Sequence, residues 1–454
     1  MKFSRWLGAI ILFAVPFAAQ AITYDQALDM AFRENPNLSV ADFGIDEAYE
    51  QLEQTRAGFR PSVTFSGSYT RLGTVPVMVM DFSDIAGIPM DPIEMPMGTA
   101  DNYQAGFSIT VPIFLGGKRA WGLEMTEMGI DAAREEAVMA RADLHAQVTA
   151  AFYGLLLAER AEEIAKSDLT RAQDQIEETQ ARWKVGYASP LDLKQDEVAV
   201  SQARAALLQA QNSTLQAGQF LNMVLGRPVS TPVKAEGDFS LAYEELGVDT
   251  LVTMAVKSRP EIRALDRAER MTELSVSLAQ SSYSPSLIFI GSPSWSNPYQ
   301  QAEGWGASMA ATVALEWPLY DGGKGLSDVR TARIGQKKLV YARNQAEDGI
   351  ELEVRQAYAS YVEAYEQIIV SMTMQAQMTE LVQMASEQYR TGVISALDYQ
   401  TILASNTQVE LAYLASLYQL ILAREELSSA AWLWDEEALE KFRKSNSTYI
   451  KEEE

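Results

Sequence analysis

WGASMAATVALEWPLYDGGK, residues 305–324, combines the pattern of a strand with the start of a helix. Every second residue from Trp305 to Trp317 is apolar or aromatic and most of the others are small or polar, which is the period of a β-strand. At about 3.3 Å per residue and a tilt of about 40°, a strand of this length spans about 30 Å, close to the hydrocarbon layer of a membrane. The two tryptophans therefore predict a membrane-crossing strand with an aromatic residue at each edge; an ordinary half-buried strand is the alternative.

The same border between strand and helix occurs earlier in the chain. VPIFLGGK at residues 111–118 matches WPLYDGGK at residues 317–324, and an alternating pattern precedes it from Tyr103 to Val111. Residues 62–70 and 286–292 supply the partner strands, so the sequence predicts four strands per chain. Because the smallest membrane barrels have about eight strands, and an open edge in lipid would leave backbone groups unpaired, the protein is predicted to oligomerise.

Two copies of one unit organise the chain. DQALDMAFRENP at residues 25–36 aligns without gaps with DTLVTMAVKSRP at residues 249–260, and later segments match at a shorter offset because the first copy has a longer loop. We therefore predict two internal structural repeats, each with a helix, two strands and a long helical hairpin. Their predicted boundaries are residues 22–235 for the first repeat, 236–247 for a linker and 248–434 for the second repeat.

Long helices fill most of each copy. Residues 118–185 and 324–391 contain no proline, and at about 1.5 Å per residue a continuous helix of this length reaches about 100 Å. In the second of these stretches, apolar residues form two adjacent stripes at helical spacing, which predicts packing on two neighbours, as in a ring of helices. VGYASPLD (185–192) and TGVISALD (391–398) are the predicted hairpin turns, in which a glycine ends one helix and a serine caps the next.

The two ends of the chain carry compositional signals. Residues 1–21 are predicted to be a secretory signal peptide, because Lys2 and Arg5 precede an apolar run and Ala19-Gln20-Ala21 fits a cleavage site. A membrane anchor is the alternative, but the apolar run is shorter than the roughly 20 residues that span a bilayer. Residues 435–454 are predicted to be a charged C-terminal tail.

Charge and composition limit the function. The net charge is −24, and removal of the two cations in residues 1–21 gives −24 − 2 = −26, which argues against a nucleic-acid partner. This charge fits either solubility or a negative lumen that favours cations. No later stretch is apolar enough for a transmembrane helix. With no Cys, a single His and no nucleophile or metalloprotease motif, the chain is predicted not to be an enzyme and to hold neither cofactor nor metal.

Three features of the sequence invite a chemical interpretation. Methionines crowd the longer first loop, and either a thioether site for Cu(I) or an adaptable surface loop accounts for them. GGK is not a phosphate loop, because a proline stands in both copies where that motif needs its first Gly. The single His145 is expected on a helix surface or seam. The methionines are Met78, Met80, Met90, Met95 and Met97.

Together these segments resemble the TolC-like outer-membrane efflux protein family. The resemblance rests on the two-copy order of elements, the strand–helix borders, the two hairpin turns, and LNMVLGRPV at residues 221–229. It implies a mainly α-helical protein with a small transmembrane β portion: a homotrimer whose 12-stranded β-barrel is continuous with a long periplasmic α-helical barrel. It also implies a place in the Gram-negative outer membrane, in contact with outer-membrane lipid, a periplasmic adaptor (membrane fusion protein) and an inner-membrane transporter.

The resemblance also assigns functional positions. Asp192 and Tyr389 match two positions of an inter-helix entrance lock that some members use, whereas Ile394 and Thr401 replace its Arg and the Asp of an acidic ring. The residues expected to contact the adaptor and close the entrance are Gly186, Leu191, Asp192, Gly392, Ser395, Leu397 and Asp398. The predicted aromatic girdle of the membrane portion comprises Trp305, Trp317, Tyr103, Phe114 and Tyr320.

The function that follows from the resemblance is a passive exit duct. Such a duct serves a tripartite efflux or type I secretion system, in which an inner-membrane pump and an adaptor deliver the substrate. A periplasmic coiled-coil adaptor or scaffold is the alternative, because it would share the helical hairpins. It would lack the four alternating strands with their flanking tryptophans.

Overall fold

A computed structural model describes residues 20–80, 92–239, 247–300 and 303–433. Residues 1–19 of the predicted signal peptide, most of the predicted linker, the predicted tail and Met90 lie outside the described residues. The described chain is mainly helical with a small β portion, as predicted.

The N-terminal half begins with two short helices and reaches a strand pair and a long hairpin. Its helices are α1 (Tyr24–Glu34), α2 (Pro36–Ala57), α3 (Lys118–Lys184) and α4 (Pro190–Val224). Its strands are β1 (Gln20–Ile22), β2 (Ser62–Arg71), β3 (Val77–Met80), β4 (Ile93–Pro96), β5 (Asp101–Leu115) and β6 (Val233–Ala235).

The C-terminal half follows the same order. Its helices are α5 (Val248–Ser258), α6 (Pro260–Gln280), α7 (Lys324–Arg390) and α8 (Ala396–Ala430), and its strands are β7 (Ser286–Asn297) and β8 (Gly306–Glu316). In each half a helix of 67 residues is followed by one of 35 residues. The division into two repeats stays a prediction, which this element order supports.

Local sequence signals fix several helix ends. Thr23 and Gln26 form a capping box that begins α1, and α2 and α6 start at Pro36 and Pro260, where the missing proline N–H is not needed. At the end of α4, Gly226 has φ +74° and lies against the backbone of Glu34, so that a Cβ there would meet the Glu34 carbonyl oxygen. The glycine of the LNMVLGRPV segment is thus required by both its conformation and its close contact.

The four predicted strands form one antiparallel sheet in the order β2-β5-β7-β8. In this sheet β2 and β8 are the outer strands. β5 is longer than predicted and runs to Leu115, with a bulge between Pro112 and Phe114 that accommodates the proline.

Two small strand pairs were not predicted from sequence. β1 pairs with β6 in parallel and β3 with β4 in antiparallel fashion, which sets Met78 opposite Met95. These strands have only three or four residues, too few to show a period.

The chain divides into two compact units. Of the described residues, the first comprises 20–43, 135–239, 247–263 and 344–433, and its core packs α1 against α3 and α4 through buried Ala27, Val148, Phe152 and Leu221. The second comprises residues 44–134 and 264–343 and contains the four-stranded sheet. None of the helices in the described part of the chain combines the length and the apolar content of a membrane-spanning helix.

Candidate functional site

The turn of the first hairpin joins α3 to α4. Gly186 has φ +82°, and the Tyr187 N–H donates to the Arg182 carbonyl oxygen at 2.9 Å, which satisfies one of the last carbonyls of α3. Ser189 then caps α4: its hydroxyl accepts from the Asp192 N–H at 3.2 Å, while the Asp192 carboxylate accepts from the Ser189 N–H at 2.7 Å. The predicted glycine end and serine cap are both present.

The turn of the second hairpin has the same construction. Gly392 has φ +77°, and the Val393 N–H donates to the Gln388 carbonyl oxygen at 2.8 Å. Ser395 and Asp398 form a second capping box, with the Asp398 N–H 3.1 Å from the Ser395 hydroxyl. Asp192 and Asp398 therefore each have a structural role in the first turn of a helix, which sequence reasoning had not assigned to them.

Apolar side chains project from both turns. We call Tyr187, Leu191, Val393 and Leu397 the tip surface; they are 85%, 66%, 71% and 55% exposed. Exposed apolar side chains of this size at both hairpin turns are typical of a binding surface. Adaptor contact through Gly186, Leu191, Asp192, Gly392, Ser395, Leu397 and Asp398 stays a prediction.

The two residues of the predicted entrance lock have separate partners. Tyr389 near the end of α7 accepts a 2.8 Å hydrogen bond from the Gln175 amide of α3, stacks on Tyr399, and carries the Arg182 guanidinium 4.8 Å from its ring centre. Asp192 is held by the Ser189 cap. A lock role for Asp192 and Tyr389 stays a prediction, and the partners that the structure gives Tyr389 on the other hairpin are Gln175 and Arg182.

Further polar contacts join the two hairpins within the first unit. The Thr407 hydroxyl of α8 donates to Asp168 of α3 at 2.7 Å, and Asp168 is also paired with Arg171. The Gln400 amide of α8 donates to the carboxylate of Asp196 in α4. We call the three contacts Asp168–Thr407, Asp196–Gln400 and Gln175–Tyr389 the polar seam.

Sequence reasoning missed the polar seam. The sequence shows a carboxylate, Asp196, near the start of α4. A single sequence does not tell which face of a long helix is buried, so the burial of this carboxylate could not be predicted. His145, the only histidine, also contacts the other hairpin: its Nδ1 is 2.8 Å from the Glu425 carboxylate, so it joins α3 to α8. This agrees with its expected position in a helix seam.

The residues of the predicted aromatic girdle belong to the second unit. Trp305 and Trp317 flank β8, and the Trp317 indole N–H donates to the Tyr283 carbonyl oxygen at 3.0 Å. The rings of Tyr103 and Trp305 lie 6.2 Å apart. All five predicted side chains are exposed: Trp305, Trp317, Tyr103, Phe114 and Tyr320. Their contact with lipid stays a prediction.

Metal-binding groups are scarce in the described part of the chain. It contains no cluster of three or more His, Asp or Glu side chains arranged to hold a metal ion. Met78, Met80, Met95 and Met97 belong to the β3–β4 ribbon and its border, and Met90 lies outside the described residues.

The fold is that of bacterial outer membrane channels. A membrane protein of Pseudomonas aeruginosa superposes with a TM-score of 0.72 at 21% identity, covering 94% of this chain and 96% of that one. The outer membrane channel CmeC of Campylobacter jejuni gives 0.70 at 16% identity, covering 90% and 85%. The Neisseria gonorrhoeae channel MtrE gives 0.69 at 19% identity, covering 90% and 88%.

The sequence assigns the family. The model of the outer membrane efflux protein family matches residues 27–227 and 251–431, so the chain belongs to this family. A curated relative is the cobalt-zinc-cadmium resistance protein CzcC of Cupriavidus metallidurans, which is 24% identical over 273 residues. That match covers 58% of this chain and 59% of CzcC, less than two thirds of the relative's length.

Three sequence predictions are confirmed by these findings. They are the family, the mainly helical fold with a small β portion, and the location in the outer membrane. The family and the similar structures are channel proteins.

Proposed function

We propose that this chain is the outer-membrane channel of a tripartite efflux system. It acts as a passive exit duct for substrates that an inner-membrane pump and a periplasmic adaptor deliver. Efflux is favoured over type I secretion because the matching family is described by efflux.

The observation that carries the proposal is the combination of two kinds of element in one chain. The chain contains a four-stranded antiparallel sheet and two hairpins, each built from helices of 67 and 35 residues. A periplasmic adaptor or scaffold would account for the hairpins but would not require the sheet. The exposed Trp305, Trp317 and Tyr103 around the sheet support its use as a membrane wall.

The edges of the sheet support an oligomer, and the family resemblance implies that it has three copies. β2 and β8 each pair with one strand only among the described residues, and every position of β2 is exposed. In lipid, unpaired backbone groups cost several kcal/mol each, so these edges require partners. Three copies that join β8 to β2 give the twelve strands that the family resemblance implies.

The adaptor and the pump are the proposed partners. The tip surface supplies exposed apolar groups at both hairpin turns, which suits docking of an adaptor of complementary shape. Divalent metal cations are the first cargo class to test, because the curated relative is a cobalt-zinc-cadmium resistance protein.

The proposal is tested with the purified full chain in a planar bilayer and with a deletion strain. We expect an outer-membrane oligomer with the mass of three chains that conducts ions, and a deletion strain that accumulates its toxicant and recovers when the gene is restored. Cobalt, zinc and cadmium are compared with apolar organic toxicants as cargo.

A periplasmic adaptor or scaffold would give a different result in these experiments. A monomer recovered from the periplasm that produces no conductance would assign the chain to the adaptor or scaffold class. Recovery from toxicity without any dependence on a pump gene would contradict the tripartite arrangement.

A further inference from the structure

Asp196 is the most deeply buried carboxylate of the polar seam. Its side chain lies in α4 between the two hairpins, and the residue is 1% exposed. The Gln400 amide donates to its Oδ1, whereas within the described residues Oδ2 has no hydrogen-bond partner. A buried carboxylate oxygen without a donor is costly when ionised, because burial removes its hydration.

A cavity of about 120 Å³ adjoins this carboxyl. The polar side chains on its wall come from three helices, and the rest of the wall is apolar, with Ala172, Ala199, Leu403 and Ala404. The cavity has room for a few water molecules and is lined by α3, α4 and α8. The polar residues that line it are Asp168, Arg171, Gln175, Asp196, Gln400 and Thr407.

Among the described residues, no unpaired cation lines the cavity beside Asp196. The charged groups that face it are Asp168 and Arg171 from α3, which are paired with each other, and Asp192 one turn earlier in α4. The polar side chains of α8 that line the cavity are those of Gln400 and Thr407, and both are neutral. Burial raises the pKa of Asp196, the Asp192 carboxylate adds to that rise, and the nearby Thr179 hydroxyl and the Gln400 amide oppose it.

We propose that Asp196, as a neutral carboxylic acid, holds the two hairpins together at their tips, and that loss of its proton separates them and opens the tips. The inference about opening rests on the proposed channel function. The inference that the Asp196 proton controls hairpin packing does not.

The sign of the pH effect follows from linkage. In the packed state the pKa of Asp196 is raised, whereas in the separated state the carboxyl is hydrated and its pKa returns to the ordinary range near 3.9. The packed state therefore binds more protons, and rising pH favours separation. For one proton the separation constant changes by up to about tenfold per pH unit between these two pKa values and is constant above and below them.

The experiment measures hairpin distance and conductance on the same protein. The chain has no Cys, so Tyr187→Cys and Val393→Cys accept spin labels at the two exposed turns, and labelled chains are diluted with unlabelled ones in the oligomer. We expect the distance between labels and the conductance to rise together with pH. Asp196→Asn keeps an acceptor for Gln400 without a charge, so it should stay packed and pH-independent.

Two further variants make the test specific. Glu197→Gln removes an exposed carboxylate next to Asp196 and should respond to pH as the unmodified chain does. Gln400→Leu removes the hydrogen bond by which α8 contacts Asp196, so it should increase the distance between labels at low pH, where the unmodified chain stays packed. This second variant keeps the test decisive if Asp196→Asn does not assemble.

The possible results separate the two proposals. A label distance that does not change with pH in the unmodified chain, or an unchanged pH response in Asp196→Asn, overturns the role of Asp196. A pH-dependent distance in a protein that never conducts supports the role of Asp196 in packing and contradicts the channel function.

Discussion

Gly226, at the end of α4, is a tightly constrained residue of the first unit. Gly226 adopts φ +74°, and a Cβ at this position would lie 2.3 Å from the Glu34 carbonyl oxygen. The close contact joins the end of α4 to the end of α1, beside the Asn35 amide that donates to the Val224 carbonyl oxygen at 2.7 Å. A side-chain rotation cannot relieve such an overlap, because the Cβ is fixed by the backbone of residue 226 and the Glu34 carbonyl is itself backbone.

We therefore expect Gly226→Ala to destabilise the protein by more than about 2 kcal/mol, since it adds conformational strain to a steric overlap. Gly129→Ala is the matched control, because Gly129 lies inside α3 with nothing within 4 Å of its missing Cβ. That control should be neutral or stabilise by up to about 1 kcal/mol. Denaturant unfolding measures both; equal stability of the two variants would contradict the expected strain.

Residue roles could be predicted where the chain bends and not where helices pack. Gly186, Gly392, Ser189 and Ser395 were assigned correctly because turn chemistry is local and depends on a few neighbouring residues. Asp196 was not found, because its burial depends on how α4 meets α8, more than 200 residues apart in sequence. Asp196 is one of two aspartates in the first turns of α4, and its neighbours in sequence do not distinguish it.

Elements show the same division between local and long-range information. The long helices and main strands were predicted within a few residues, because period and proline content act over many positions. The β1–β6 pairing and the polar seam were not, because each depends on contacts between distant segments. At this scale the hairpin turn is the unit whose function is most accessible to mutation.

The tip surface is expected to bind the adaptor through apolar contact. Leu191→Glu combined with Leu397→Glu should reduce export by tenfold or more, roughly the effect of losing about 1.4 kcal/mol of binding. Both positions are exposed and follow the serine cap, so the oligomer should still assemble with its unfolding unchanged. Export is measured as accumulation of toxicant in cells.

Conservative changes at the same positions provide the control. Leu191→Met with Leu397→Met preserves the apolar area and should leave export unchanged. Normal export in the Glu variant, with the oligomer present in the outer membrane, would show that the adaptor binds elsewhere.

At the scale of the whole molecule, net charge is the property that would most directly affect which ions a channel conducts. The chain has 61 acidic and 37 basic residues and an isoelectric point near 4.6. A negative charge of this size either keeps the protein soluble or attracts cations into a lumen, and the two interpretations differ in a measurable way. If acidic side chains line the path, cations should carry most of the current.

We expect the reconstituted channel to prefer cations, so that in a KCl gradient its reversal potential shifts toward the equilibrium potential of potassium. The shift should decrease at high salt, because screening shortens the reach of the carboxylates, and should also decrease as pH falls toward 4.6, where the net charge of the chain approaches zero. Reversal potential reports selectivity rather than the number of open channels, so closure of the tips through Asp196 at low pH would lower conductance without producing this change. A reversal potential that stays at zero at neutral pH and low salt would mean that the acidic residues face away from the conduction path and serve solubility alone.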